Sequence, residues 1–139
     1  MRCVLDTNVL VSGLLWHGNP ARLIELAGEG EIQLYTSRPL LEELTDVLHR
    51  RKFAKAILAT GFTVAQILSH YRRVAYRVTP VPMNQQFSRD LDDDQVLACA
   101  LAAKAKLIAS GDKDLLILKS FSFIPIVTAA EAVKIITRL

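Results

Sequence analysis

Two short apolar runs that stop at aspartates constrain this chain most: CVLDTNVL at residues 3–10 and LIASGDKDLL at residues 107–116. Neither run alternates polar with apolar, which is the pattern of a strand buried on both faces. Segments with helical periodicity lie between such runs. Strands alternating with helices argue for a three-layer α/β/α architecture around a central parallel sheet of four to five strands. In open sheets of this kind ligands bind beyond the carboxyl ends of the strands. Asp6 and Asp112 are expected at that rim.

Arg2–Leu5, 32–35, 107–109 and 124–127 read as strands, with 77–79 as a further short one. Helical segments are expected at 7–16 and at 21–28, where Pro20 suits a first turn. Ser37 and Pro39 open a helix to about residue 51. Further helices are expected at 53–59, 92–104 and 113–118. Thr63 with Gln66 and Thr128 with Glu131 have capping-box spacing for helices at 63–76 and at the C-terminal end. The proline-containing stretch 80–89 reads as a loop, and LILKSFSFIPIV as a turn into an edge strand. No repeat or low-complexity linker breaks the chain, so residues 1–139 are expected to form a single domain, with 39–76 an all-helical insertion between strands.

No run approaches the roughly 18 consecutive apolar residues of a membrane helix. With no leader-like start, a cytoplasmic protein without membrane attachment is expected. Cys3 and Cys99 lack metal or redox spacing and read as reduced, buried thiols. The net charge of +3 comes from 17 basic and 14 acidic residues. Asp90, Asp92, Asp93, Asp94, Asp112 and Asp114 concentrate much of the acid, leaving a basic remainder. A basic body around an acidic pocket suits a polyanion and a divalent cation.

Helix geometry sorts the acids further. At about 100° per residue, Leu40, Leu41, Leu44, Val47 and Leu48 share one arc. Glu43 falls at its margin and Glu42 on the far side. Glu43 is thus either a site residue or a boundary glutamate paired with Arg50 or Arg51. In the later helix Val96, Leu97, Ala100 and Ala103 mark the buried face. Asp93 lies in line with them, Asp92 toward one edge, and Asp94 is expected to point away. Helix capping explains aspartates at an N-terminus, and it is an alternative for Asp6 and Asp112. It does not explain an aspartate on an apolar stripe, where an unpaired charge is costly.

Carboxylates sharing a pocket need a counter-charge, since two unit charges about 4 Å apart repel by about 4 kcal/mol at an effective dielectric near 20. An all-oxygen set selects Mg²⁺ or Mn²⁺ over zinc. His17, His49 and His70 are scattered. Metal-assisted phosphodiester hydrolysis is the reaction such a site supports. Neither a GxSxG nor a P-loop is present, and the DTN segment lacks the second aspartate of a DxDxT phosphatase.

These segments, VLDTNVL, SRPLLEELTDVL and RDLDDDQVLACALAAKAKLIASGDKDLL, resemble in order the PIN-domain ribonucleases, most closely the VapC-like toxins of bacterial toxin–antitoxin pairs. The resemblance covers nearly the whole chain. It implies a sheet of order 3-2-1-4-5 and places the family's metal-binding, catalytic acids on Asp6, Glu43, Asp93 and Asp112. Asn8 and Ser110 match site-lining positions, and Asp90 and Asp114 are outer acids. It also implies an RNA substrate, a homodimer or higher homo-oligomer, and a cognate antitoxin protein.

Arg89 and Lys113 are the basic residues nearest the acids and the preferred RNA contacts. His49–Lys52 with Lys55, and Arg72, Arg73 and Arg77, are further candidates, each with the alternative of an ordinary solvated face. Trp16 is a candidate for base stacking or for core or interface packing. A catalytically silent RNA- or protein-binding module and a phosphomonoesterase are the competing functions.

Overall fold

In a computed structural model, described at residues 1–88 and 91–138, six strands form one sheet in the order β3-β2-β1-β4-β6-β5. The strands are β1 (Arg2–Leu5), β2 (Gln33–Thr36), β3 (Ala75–Arg77), β4 (Leu107–Ala109), β5 (Ser120–Phe121) and β6 (Ile124–Val127). All neighbours are parallel except the β5–β6 hairpin. Counting β6 as the fifth strand gives the expected 3-2-1-4-5 order. The added edge strand β5 corrects the reading of that stretch as a turn. Its hairpin turns at Ser122 and Phe123, with φ of 49° and 65°. A primed turn needs that left-handed backbone, and it is normally encoded by Asn-Gly or Asp-Gly.

Two apolar clusters lie on opposite faces of the sheet. Cys3, Leu5, Leu34, Leu107 and Ala109 point to one side. There they meet α1 (Thr7–Leu15), α2 (Asn19–Gly28), α3 (Arg38–Leu48), α5 (Val64–Val74) and α8 (Ala129–Thr137). Val4, Ile108 and Ile126 point to the other side, against α6 (Leu91–Ala103) and α7 (Lys113–Leu116). A short α4 (Ala54–Thr60) buries no residue fully. Eight residues of α6 are buried, so little of its circumference meets solvent. Cys3 and Cys99 are both buried and free, and desolvation pushes their thiols up to about 11 and about 12. Among the described residues no helix is long and apolar enough to cross a membrane.

Local chemistry sets the boundaries. Ser37 accepts from the Leu40 amide at 3.4 Å and Pro39 occupies the first turn of α3. Thr63 and Gln66 form the full capping box of α5, and Thr128 accepts from the Glu131 amide at 3.2 Å to start α8. β3 begins two residues earlier than the expected 77–79, because α5 runs straight into it at Ala75 and the register Thr36↔Arg77 ends the pairing.

The close approach of α1 to α2 depends on Gly13. A Cβ there would stand 2.7 Å from Ile24 Cδ1 and 2.8 Å from the Pro20 carbonyl oxygen. In an open helix a Gly→Ala change gains about 1 kcal/mol. Here Gly13→Ala is expected to lose about 1–3 kcal/mol by overpacking. Urea unfolding checks the sign.

Candidate metal centre

The register Leu5↔Ala109 sets the rim of the sheet. One residue beyond it, Asp6 leaves β1 beside Ser110, which leaves β4. The Asp6 amide still donates to the Ala109 carbonyl at 3.0 Å. Asp6 is 3% exposed and Ser110 fully buried. Asp6 Oδ1 accepts from the Val9 amide at 2.8 Å, so this aspartate does cap α1. Its Oδ2 accepts a short hydrogen bond from the Ser110 hydroxyl and a longer one, 3.3 Å, from the Gly111 amide. Ser110 Oγ in turn accepts from the Asp112 amide at 2.9 Å. Asp112 caps α7, its Oδ1 accepting from the Asp114 amide at 2.8 Å. Capping and site formation thus coexist in both aspartates.

The other two expected acids arrive from helices. Glu43 on α3 is half-buried, and its Oε2 accepts from the Thr7 hydroxyl at 2.9 Å. Asp93, in the first turn of α6, is 7% exposed as its place on the apolar stripe predicts. Its Oδ2 faces the Ser88 hydroxyl at 3.4 Å. Asp6, Glu43, Asp93 and Asp112 line one hollow of about 50 Å³, together with Thr7, Asn8 and Asp92. One water needs only about 10–15 Å³, so the hollow has room for an ion with part of its hydration.

Carboxylate oxygens of Asp93, Asp112 and Asp114 come within 4.8 Å of one another. The donors around the hollow are oxygens of carboxylates, a hydroxyl and an amide. They fit a hard divalent ion and not zinc. Asp114 belongs to that group of three without lining the hollow, whereas Asp6 and Glu43 line the hollow and are not in the group. Thr7 went unnoticed in the sequence although it stands inside the DTN motif. It is 5% exposed and orients Glu43.

Asp94 overturns one expectation. It does not point to solvent but is 6% exposed. Its carboxylate accepts from the Phe87 amide at 3.1 Å and the Ser88 amide at 2.8 Å. The chain after β3 folds back over α6 there, and its buried amides need an acceptor. Asn8 is exposed at the mouth of the hollow, and Lys113 is exposed at the start of α7. Arg89 and Asp90 lie outside the described residues. Trp16 is half exposed and packs against Phe53, with ring centroids 6.1 Å apart.

Burial pushes the Asp6 carboxyl above its usual 3.8. Hydrogen bonds from Ser110, Val9 and Gly111 pull it down, and the charge of Asp112 adds to the rise. The hollow thus disfavours the ionised form of Asp6 relative to water.

A model of the PIN domain family matches residues 2–114. An uncharacterized protein of Methanocaldococcus jannaschii is 32% identical over 120 residues, which cover 86% of this chain and 76% of that protein. No solved structure matches the chain.

Two outcomes are expected. In a chelator, the folded state binds the Asp6 proton more readily than the unfolded state does. That contribution is complete below 3.8 and is lost as pH rises through the raised folded value. The unfolding free energy of the wild type relative to Asp6→Asn should therefore fall as pH climbs from about 4 to neutrality; a flat difference would show that Asp6 is not desolvated. Separately, Asp94→Ala should cost about 1–3 kcal/mol in denaturant unfolding, because two loop amides lose their acceptor.

Proposed function

The chain belongs to the PIN-domain family, and from that premise we propose that it is a Mg²⁺- or Mn²⁺-dependent endoribonuclease, the toxin of a type II toxin–antitoxin pair. The observation that carries the reading is the convergence of Asp6, Glu43, Asp93 and Asp112 from separate parts of the chain on one small acidic hollow. These four residues, with Asp114, would hold the ion. When bound, a divalent cation lowers the pKa of a coordinated water and offsets charge on a phosphodiester oxygen.

The protein's own groups do the positioning. Ser110 and the Gly111 and Val9 amides fix both oxygens of Asp6. Thr7 fixes Glu43, and Ser88 faces Asp93. Preorganised carboxylates need little rearrangement when an ion arrives. Asn8 at the mouth and Lys113 beside Asp112 would meet the RNA backbone. The toxin reading carries with it a cognate antitoxin protein and a homo-oligomer. Co-expression with the product of an adjacent small reading frame tests the first, and sedimentation tests the second.

Asp6→Asn or Asp112→Asn is expected to abolish Mn²⁺-dependent cleavage of single-stranded RNA while the far-ultraviolet circular dichroism is unchanged. Mn²⁺ at a hundred times its Kd should stabilise the wild type by about 2.7 kcal/mol, and Asp93→Asn should lose that gain. No metal-induced stabilisation would favour a silent binding module. Turnover of an aryl phosphate without RNA cleavage would favour a phosphomonoesterase.

A further inference from the structure

Arginines from three elements line a second hollow at the β3 edge of the sheet. Arg38 opens α3, Arg72 stands in the last turn of α5, and Arg77 ends β3. All three line a groove of about 270 Å³, together with Glu42 and Asp46. A neighbouring hollow of about 520 Å³ shares Arg38 and Arg77 and opens toward the chain after β3. Arg38 is paired with Glu42 at 2.9 Å. Among the described residues Arg72 and Arg77 have no carboxylate partner. A charge on an edge strand is common protection against aggregation, and a cation suits a helix C-terminus. Neither reason calls for the two to line one groove.

The register ties this groove to the acidic hollow. Arg77 pairs with Thr36, and Val4 pairs with Tyr35, so Arg77 lies on the rung of Leu5, one residue before Asp6. The two strands are separated by two inter-strand spacings, about 10 Å. A polyanion crossing the acidic hollow needs cations beside that hollow rather than in it. The forked guanidinium matches a phosphate in two hydrogen bonds. We propose that Arg38, Arg72 and Arg77 form a phosphate subsite that grips the RNA strand next to the point of cleavage. The proposal rests on the nuclease reading for its substrate.

The test is binding of a fluorescein-labelled single-stranded RNA in chelator, followed by anisotropy across a salt series, with the full-length chain. Each phosphate contact on a single strand contributes about 0.7 to the slope of log K against log salt. Arg72→Ala/Arg77→Ala should therefore lower the slope by about 1.4 and weaken binding about tenfold or more at low salt. Arg72→Lys/Arg77→Lys should keep most of the slope, since charge is retained. Both variants should melt with the wild type, because the side chains are exposed. An unchanged slope and affinity in the alanine variant would overturn the subsite, whatever the cleavage assay shows. Loss of binding to a polyglutamate peptide, with RNA binding intact, would overturn it in favour of an acidic protein partner. If the wild type binds RNA with the expected slope change but never cuts it with Mn²⁺, the nuclease reading falls and the subsite stands.

Discussion

The parallel pairing of β1 with β4 is the constraint on which the rest of the molecule depends. Asp6 and Ser110 are 104 positions apart in the chain, yet the register Leu5↔Ala109 sets them side by side. Nothing local to either segment does this. It follows from burying two short apolar strands in the middle of a sheet, with helices on both faces. Once the strands pair, both chains must leave the sheet at the same rim. Each then starts a helix and uses its own aspartate as the cap. The acidic cluster is therefore a consequence of how two strand-to-helix turns are finished.

That arrangement carries a cost in the folded state. Desolvation raises the Asp6 carboxyl, and Asp112 adds repulsion. Hydrogen bonds from Ser110, Val9 and Gly111 offset part of this by stabilising the ionised form. The offset is built from groups that need partners in any case: an N-terminal helix amide, a turn amide and a buried hydroxyl. A site made this way loses little when no ion is bound, and keeps its carboxylates aimed for one that is. The apolar layers supply the surplus stability, with Leu44, Leu97, Cys99 and Ile108 fully buried around the sheet.

Much of this was legible in the chain because burial on both faces leaves an unbroken apolar run, and helix periodicity places Asp93 on a buried stripe. The caps at Ser37, Thr63 and Thr128 were legible because capping chemistry is local. What escaped was non-local or unorthodox. β5 was hidden because its turn uses Ser122 and Phe123 where a primed turn favours Asn and Gly. The inward turn of Asp94 was hidden because its partners, the Phe87 and Ser88 amides, belong to a loop with no periodicity. Glu43 sat at the margin of its helix face, and only the approach of Thr7 from α1 decides its direction.

The run Asp92-Asp93-Asp94 shows how neighbouring identical residues divide the work. Successive helix positions lie about 100° apart, so the three carboxylates sample three environments. Asp92 is exposed yet lines the hollow, Asp93 is buried beside Ser88, and Asp94 is buried under the returning loop. Ser88 joins the last two, since its hydroxyl faces Asp93 and its amide donates to Asp94. The loop that Asp94 anchors is thus the loop that positions a partner of Asp93. A cluster of like charges at one helix start is tolerable here because one member is absorbed by backbone amides before it can add to the field of the hollow. Asp6, Glu43, Asp92, Asp93 and Asp112 are left lining the hollow, more negative charge than one divalent cation offsets, while the chain as a whole stays basic enough to draw in a polyanion.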